Sequence, residues 1–394
     1  MPGDAATIQE AVSATIPGDV VLVAPGTYHE SVWIKTADVV LRGTDRNKVI
    51  IDGEVRRANG IVVTAPGVSV ENLTVRNHIL NGVLVTGMSD DAGGMARGSD
   101  GYTRLDPKKF PPLQGFRVSY VTASNNALYG IYAFNSQHGL IEHNYASGSA
   151  DSGLYVGQCR PCDIVVRDNV AERNAVGYEG ANASGSMFVL HNRFAANRVG
   201  LTANSEYQEA LIPQQDATIV GNLIAHNAEP TSPAQADGGY GIGVGIAGGA
   251  RNLVARNLIV GNPATGIALA SAEDLPPTGN QLTGNILRDN GVDVVDASSA
   301  RAPGSGNCLT GNDLHTTLPT GLATMPCPAG VAPGVTPPRV AAPRGIPFRD
   351  VPAGPPQPNR PDRPTEPDRP AHPDVAAIGV PHTGLLADQS AVRW

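Results

Sequence analysis

Six segments of the chain end in Asn and share one pattern of apolar and polar residues. They are LIEHN (140–144), VVRDN (165–169), FVLHN (188–192), TIVGN (218–222), LVARN (253–257) and QLTGN (281–285). Their final Asn residues are separated by 25, 23, 30, 35 and 28 positions. A minimal unit of about 23 residues with no helical period predicts stacked coils made of short strands.

Each unit also carries a Gly that precedes a short strand with alternating apolar residues, such as GIYAF or GLYVG. These glycines are Gly82, Gly130, Gly153, Gly177, Gly200 and Gly266. We predict that one unit is one coil of a parallel β-solenoid. Asn at one corner tolerates left-handed backbone angles and bonds to the same Asn of adjacent coils, and Gly supplies the turn angles at another corner. A leucine-rich repeat would need a helix per unit, and an immunoglobulin-like sandwich would not keep one Asn in register.

The composition agrees with many short strands, because 46 Gly and 33 Pro among 394 residues would interrupt helices. The net charge of −8 shows no basic stripe for phosphate backbones. No run approaches the roughly 18 apolar residues of a membrane helix, and the first residues lack the basic-then-apolar pattern of a signal peptide. We expect no nucleic-acid partner, no membrane-spanning segment and no signal peptide in this chain.

Four cysteines allow three pairings, of which the local ones close the shortest loops. We predict the disulfides Cys159–Cys162 and Cys308–Cys327 and therefore an extracytoplasmic location, secreted or in the cell envelope. A redox or zinc motif at Cys159–Cys162 is the alternative.

The chain divides into a solenoid domain over residues 4–328 and a Pro-rich tail over 329–394, which we expect to be largely disordered. Helical spacing over 6–14 predicts a short helix that caps the first coil, and the Cys308–Cys327 loop could close the last coil. The insertion 87–115 interrupts the repeats. Loops on a rigid solenoid are where such proteins usually carry function.

The repeats and the segment ATIQEAVSATIPGDVVLVAPGTYHESVWI (6–34) resemble right-handed parallel β-helix proteins of the pectate-lyase-like superfamily over roughly residues 4–310. Within that superfamily, residues 147–185 look similar to an actinobacterial extracytoplasmic group. The resemblance implies the fold, and we expect a polysaccharide or a cell-envelope glycan as the partner. Alginate C5-epimerases carry an Asp-Pro-His-acid element that is missing from the matching stretch 129–135, so epimerase chemistry of that type is not expected.

Strand alternation predicts which side chains leave the solenoid on successive coils. One outward column holds Tyr132, Tyr155, Glu179 and Thr202, and a second, three residues further along, holds Asn135, Gln158, Asn182 and Ser205. We expect a solvent-facing polar and aromatic strip in which Tyr132, Asn135, Gln158, Asn182 and Lys108 of the insertion bind a glycan. The alternative is a solvated face without function.

Four residues are the candidate catalytic set: Glu179, Asp151, Tyr155 and Arg198. For a hydrolase, the backbones of Asp151 and Glu179 lie about 14 Å apart if the chain is straight, so the corner must fold Asp151 back to bring their carboxyls together. For a lyase, Tyr155 or Tyr132 would act as base or acid, and Arg198 would neutralise a uronate. Asp151 could instead cap its turn.

We expect no cofactor and no metal, with Ca²⁺ at Asp90, Asp91, Asp100 and Asp106 as the alternative, although their spacing matches no calcium loop. Carbohydrate-active or carbohydrate-binding function is the leading hypothesis, and whether the protein is an enzyme stays open. A non-catalytic envelope scaffold or adhesin and a metal-delivery protein are the alternatives.

Overall fold

The computed structural model of the chain describes residues 4–98, 101–235, 238–331, 334–362 and 373–393. Parallel strands form two sheets in which each strand pairs in register with the equivalent strand of the next coil. The first sheet has eleven strands: Val32–Ile34, Ile61–Val63, Val83–Thr86, Ile131–Phe134, Ser152–Cys159, Val176–Ala183, Val199–Asn204, Ile242–Ala247, Thr265–Ala270, Val294–Ala297 and Thr317–Leu318.

The second sheet has nineteen strands and bends, so that most coils contribute two strands to it. Before the bend lie Val20–Val23, Val40–Gly43, Ser136–Glu142, Ile164–Arg167, Met187–Leu190, Ala217–Val220, Leu253–Ala255, Gln281–Thr283 and Cys308–Thr310. After it lie Gly26–Tyr28, Val49–Asp52, Tyr145–Ser147, Val170–Glu172, Arg193–Ala195, Leu223–Ala225, Leu258–Val260 and Ile286–Arg288, while Val68–Arg76 and Leu113–Ser124 cross the bend. The predicted all-β parallel solenoid is confirmed.

The remaining elements are short. They are the α-helix Ile8–Ser13, the 3₁₀ helices Leu322–Thr324, Phe348–Asp350, Val375–Ala377 and Ala387–Gln389, and an antiparallel pair, Arg97–Gly98 with Gly101–Tyr102. The α-helix covers the first coil, since Ile8 and Val12 are buried in the main core and the Thr7 hydroxyl accepts from the Glu10 amide at 3.0 Å.

Both predicted disulfides are present, Cys159–Cys162 and Cys308–Cys327. The loop between Cys308 and Cys327 packs Leu322 into the end of the main core, so it closes the last coil as expected.

The predicted Asn ladder runs through the interior of the solenoid. Asn169 donates from Nδ2 to Asn192 Oδ1 at 2.9 Å, and Asn192 donates to Asn222 in the same way. The left-handed residue at this corner is the one before each Asn, for example Asp168 and His191, so our assignment of that backbone angle to Asn was wrong. Asn is needed here because its buried amide bonds to the adjacent coils.

A second ladder, which we did not predict, follows the first by five residues. It joins Asn174, Asn197, Asn227, Asn262 and Asn290 through Nδ2–Oδ1 bonds. The segments ERN, AAN, AHN, VGN and RDN that end at these positions carried the signal in the sequence.

The repeated glycines are required by space rather than by backbone angle. Gly130, Gly153 and Gly177 have no positive φ, contrary to our expectation. A Cβ on Gly177 would lie 2.5 Å from the Gly200 carbonyl oxygen and 2.8 Å from Asn197 Nδ2. Adjacent coils and the second Asn ladder therefore approach too closely for any side chain.

Replacing Gly177 by Ala is expected to lower stability by about 2 kcal/mol, because backbone and ladder atoms must move to admit the methyl group. The chemical-denaturation midpoint measures the effect. Gly330→Ala is the matched control, since a Cβ there meets nothing within 4 Å. Equal midpoints for the two variants would contradict the steric explanation.

The described parts of the Pro-rich tail, 334–362 and 373–393, lie against the solenoid, so the expectation of a largely disordered tail is wrong for them. Buried arginines hold the tail by its carbonyl oxygens. Arg46 Nη1 donates to Pro358 O at 3.2 Å, and Arg193 Nη1 donates to Leu385 O at 3.2 Å. Val351 and Leu385 are buried as well. The tail thus covers outer surfaces of the second sheet.

Candidate functional site

The outward column of the first sheet is in the predicted register. Tyr132 pairs with Tyr155, Tyr155 with Glu179, and Glu179 with Thr202. The residues that alternate with this column, such as Ile131 and Leu154, belong to the interior core. The column therefore lies on the outside of the solenoid.

The tyrosines of this column are covered, which differs from the solvent-facing strip that we expected. Tyr132 is 0% exposed and Tyr155 is 3% exposed. They form a tight ring cluster with Tyr129, with ring centroids 4.4 to 4.9 Å apart. Met88, Met95 and Phe110 of the insertion 87–115 complete this cluster. The insertion thus removes this end of the column from solvent.

The three amide residues of the second column hold loops in place. Asn135 Nδ2 donates to Phe110 O at 3.2 Å in the insertion, and Gln158 Oε1 accepts from Ala210 N at 2.8 Å. Asn182 exchanges two bonds with the backbone of Glu206. All three amides are buried and have left-handed backbone angles. These side chains hold the insertion and the loop 205–215. They were predicted to contact a glycan instead.

The carboxyls of Asp151 and Glu179 come together around the hydroxyl of Ser152. Ser152 Oγ lies 2.6 Å from Glu179 Oε2 and 3.1 Å from Asp151 Oδ1. The two carboxyl oxygens are thus no more than about 6 Å apart, the reach of two hydrogen bonds through one hydroxyl. Both residues keep part of their surface exposed. The corner does bring Asp151 back toward Glu179, as a hydrolase requires.

Burial and proximity make it unfavourable for this pair to carry two charges. Burial and the neighbouring Asp151 carboxylate raise the pKa of Glu179 to about 8. Burial also raises the pKa of Asp151, but hydrogen bonds from Ser152, Gln235 and Tyr129 oppose that rise. One proton near neutral pH therefore resides on Glu179, beside an Asp151 carboxylate that is stabilised by donors.

Three further polar residues surround the pair and were missed by the sequence analysis. Gln235 Nε2 donates to Asp151 Oδ1 at 2.7 Å from the loop between two coils. Glu209 is buried, and its Oε1 accepts from the Tyr155 hydroxyl. Burial raises the pKa of Glu209 strongly, and the charge of Glu206 contributes to the raised pKa of Glu179. All three lie in insertions outside the repeat, where no periodicity indicated their positions.

Comparison with protein families gives one match. Residues 112–287 match the model described as "Right handed beta helix region". This region is a right-handed β-helix. The match confirms the fold expected from the resemblance, whereas the proposed actinobacterial group stays a prediction. No curated protein matches the chain.

Several solved structures share the β-helix fold at low identity. The A-module of the mannuronan C-5 epimerase AlgE4 from Azotobacter vinelandii is 15% identical, with a TM-score of 0.48, over 86% of this chain and 92% of that one. The periplasmic alginate epimerase AlgG is 14% identical, with a TM-score of 0.38, over 75% and 78%. A tailspike protein from the Escherichia coli O157:H7 bacteriophage CAB120 is 11% identical, with a TM-score of 0.46, over 71% and 36%. This likeness concerns the fold alone.

The predicted cation of the lyase hypothesis is held by the tail and by Tyr240. Arg198 aligns with the position of Asp151 two coils on, as expected, but its Nη2 donates to Pro343 O at 2.5 Å and its guanidinium lies 4.8 Å from the Tyr240 ring centroid. Lys108 is exposed on the insertion. Within the described part of the chain, no salt bridge joins a cation to Asp151 or Glu179.

Two acidic residues of the insertion serve local turns. Asp90 Oδ1 accepts from the Ala92 amide, and Asp106 Oδ1 accepts from the Lys108 amide, both at 3.0 Å. Asp100 lies outside the described residues. Among the residues whose placement is described, no group of three or more His, Cys, Asp or Glu side chains could hold a metal ion. A search of the same residues finds no helix able to span a membrane.

Proposed function

We propose that this protein hydrolyses glycosidic bonds of a polysaccharide, with Glu179 and Asp151 as its two catalytic carboxyls. The observation that carries the proposal is the partly exposed acid pair bridged by the Ser152 hydroxyl. Glycoside hydrolysis requires one protonated carboxyl to assist the leaving oxygen and one carboxylate at the anomeric carbon. The unequal environments of Glu179 and Asp151 supply these two forms.

Glu179 is the acid because its carboxyl keeps the proton near neutral pH. It protonates the glycosidic oxygen while the bond from that oxygen to the anomeric carbon breaks. Asp151 keeps its charge because Gln235 and Ser152 donate to it. A separation below about 6 Å favours direct attack by Asp151 over attack by an intervening water, which needs roughly 6.5–9.5 Å. Water then cleaves the glycosyl ester, and Glu179 recovers its proton from that water. Retention of anomeric configuration follows.

Several features favour hydrolysis over the lyase alternative. A lyase must neutralise the uronate carboxylate beside a base. Arg198 is bound to the tail and to Tyr240, and Tyr155 is buried and donates to Glu209. Among the described residues, neither group is hydrogen-bonded to Asp151 or Glu179.

Release of reducing ends from a panel of neutral and acidic polysaccharides tests the proposal. The expected result is release from at least one glycan without absorbance from unsaturated uronates. Release accompanied by that absorbance would support a lyase instead. Binding to a glycan without any release would contradict hydrolysis and favour the scaffold or adhesin alternative.

We also propose an extracytoplasmic location for this function. The support is the pair of disulfides, which form and persist in oxidising compartments. A protein in such a compartment has access to polysaccharides of the cell envelope and of the medium outside the cell.

The pH profile of kcat is expected to fall on the alkaline side near pH 8. The Glu179 carboxyl is protonated below its pKa of about 8, so raising the pH through that value removes the acid. The acidic limb reports protonation of Asp151 and lies above the usual range of an aspartate, since burial raises its pKa.

Glu206→Gln serves as a probe of this assignment. The Glu206 charge raises the pKa of Glu179, so its removal should move the alkaline limb to lower pH. Glu10→Gln, an exposed change on the capping helix, should leave the limb unmoved. An alkaline limb that stays in place in Glu206→Gln would contradict the assignment of the limb to Glu179.

A further inference from the structure

Gln235 reaches Asp151 from a loop that belongs to a distant coil. It lies in the loop before the strand Ile242–Ala247, which is three coils beyond Ser152–Cys159, the strand that follows Asp151. Three coil spacings amount to about 14 Å along the solenoid axis. The loop must therefore extend back across these coils for Gln235 Nε2 to donate to Asp151 Oδ1 at 2.7 Å.

The first half of the loop segment 228–235 is held by the solenoid and by its own polar groups. Glu229 N donates to Asn197 O at 3.0 Å. Tyr240 Oη donates to Ala228 O at 2.5 Å. Ser232 is fully buried, and its Oγ donates to Glu229 O at 2.9 Å. These contacts fix the segment as far as Ser232, three residues before Gln235.

The tail packs against the second half of this segment. Ile346 N donates to Ser232 O at 3.2 Å. Gly345 has a φ of +78°, and a Cβ at this position would lie 2.7 Å from Ser232 O and 3.1 Å from Ala234 N. Only Gly allows the tail backbone to approach this closely. The tail therefore supports the residues directly before Gln235.

Arg198 holds this part of the tail in place. It is 3% exposed, which is unusual for an arginine. Its Nη2 donates to Pro343 O, two residues before Gly345, at 2.5 Å. Its guanidinium also lies 4.8 Å from the ring centroid of Tyr240, the residue that bonds to Ala228. One buried cation thus contacts both the tail and the residue that anchors the start of the loop segment.

We propose that Arg198 and the tail residues 343–346 are positioning residues of the acid pair, which hold Gln235 against the Asp151 carboxylate. The proposal rests on the proposed hydrolysis and adds residues that act on Asp151 through Gln235. Arg198, which the sequence placed in the catalytic set, has this role instead of neutralising a uronate. The tail is then a component of the site as well as a cover for the second sheet.

Loss of the Gln235 contact has a defined effect on Asp151. Burial raises the pKa of Asp151, and hydrogen bonds from Ser152, Gln235, Glu179 and Tyr129 oppose that rise. Without Gln235 the pKa of Asp151 therefore rises further, and its carboxylate is protonated at a higher pH. Because the reaction needs this carboxylate, the acidic limb of kcat should move to higher pH.

The titration of Asp151 tests the proposal without substrate. Isotope labelling of the aspartate carboxyl carbons allows it to be followed by NMR, with Asp151→Asn identifying the signal. Gln235→Ala is expected to raise the midpoint by about one pH unit, since a hydrogen bond to a charged group has an effect of about that size. Arg198→Met and Gly345→Ala should each raise it in the same direction, because both release the tail from the loop segment.

Two further variants separate positioning from a direct effect of the Arg198 charge. Arg256→Met is the matched control, since Arg256 Nε donates to Ile378 O at 2.6 Å and so holds another part of the tail. We expect no shift of the Asp151 midpoint in this variant. The double variant Arg198→Met with Gln235→Ala should titrate like Gln235→Ala alone, whereas a direct charge effect would add to that shift.

The outcomes distinguish this role from the proposed reaction. An unchanged Asp151 midpoint in Gly345→Ala, or an additive shift in the double variant, would overturn the positioning role. If Arg198→Met does not fold, Gly345→Ala alone decides, because it alters the same contact without changing a charge. Shifted midpoints in a protein that releases no reducing ends would support positioning and contradict hydrolysis.

Discussion

Replacing Glu179 by Gln is expected to lower kcat on a cleaved polysaccharide by about a thousandfold. The amide fills nearly the same volume but has no acidic proton for the leaving oxygen, and general acid catalysis contributes about 10²–10⁴ in rate. Because substrate contacts are otherwise retained, KM should change little. Initial rates of reducing-end release measure both constants.

Two companion variants make this experiment decisive. Asp151→Asn should be similarly inactive, since it removes the carboxylate partner that Gln235 and Ser152 stabilise. Glu10→Gln changes an exposed acid far along the chain and should keep full activity. If Glu179→Gln retains more than a tenth of the unmodified rate, Glu179 is not the acid.

Replacing Asn192 by Ala is expected to destabilise the solenoid by about 4 kcal/mol. Asn192 is fully buried, and its Nδ2 donates to Val166 O and Asn222 Oδ1 at 3.0 and 2.9 Å. Its Oδ1 accepts from the backbone and side-chain nitrogens of Asn169 at 3.0 and 2.9 Å. The substitution leaves several buried groups without partners, each at a cost of about 1–3 kcal/mol.

The measurement is the shift of the denaturation midpoint, followed by circular dichroism. Asn312→Ala is the control at the end of the same ladder, where the residue is only half-buried. Asn312 accepts from Asn285 and donates to Leu282 O but, unlike Asn192, has no bond to an Asn of a following coil among the described residues. We expect its midpoint to change by less than half as much. Equal shifts at Asn192 and Asn312 would show that burial and position in the ladder do not determine the cost.

The sequence predicted those features of the fold that repeat. Asn144 through Asn285 recur in similar segments, so the first ladder and the coil could be inferred from them. The second ladder left the same signal in the sequence, an Asn five residues later in the same repeats. The positions of the repeated glycines were predicted correctly, but the reason for them was not. The glycines are needed because adjacent coils approach closely, and such a contact between two chain segments cannot be inferred from one segment alone.

The candidate site depended more on features that do not repeat. Glu179 could be placed in the outward column from alternation, but its contact with Ser152 depends on side-chain torsions that backbone spacing does not determine. The burial of Tyr132 and Tyr155 depends on the insertion 87–115, and Gln235 and Glu209 lie in other insertions. Such segments have no periodicity, so their positions over the sheet could not be inferred.

The tail changes how this solenoid assembles during synthesis. Coils that contact only their neighbours can form one after another as the chain emerges. Here the backbone amide of Arg46 donates to Asn359 Oδ1, across 313 positions of sequence. Outer surfaces near the first coils therefore stay uncovered until residues 358–359 have been made. The side chain of buried Arg46 already finds Val121 O and Thr122 Oγ1 within the solenoid, but its Nη1 and its backbone amide gain their partners at Pro358 and Asn359 only when the tail docks.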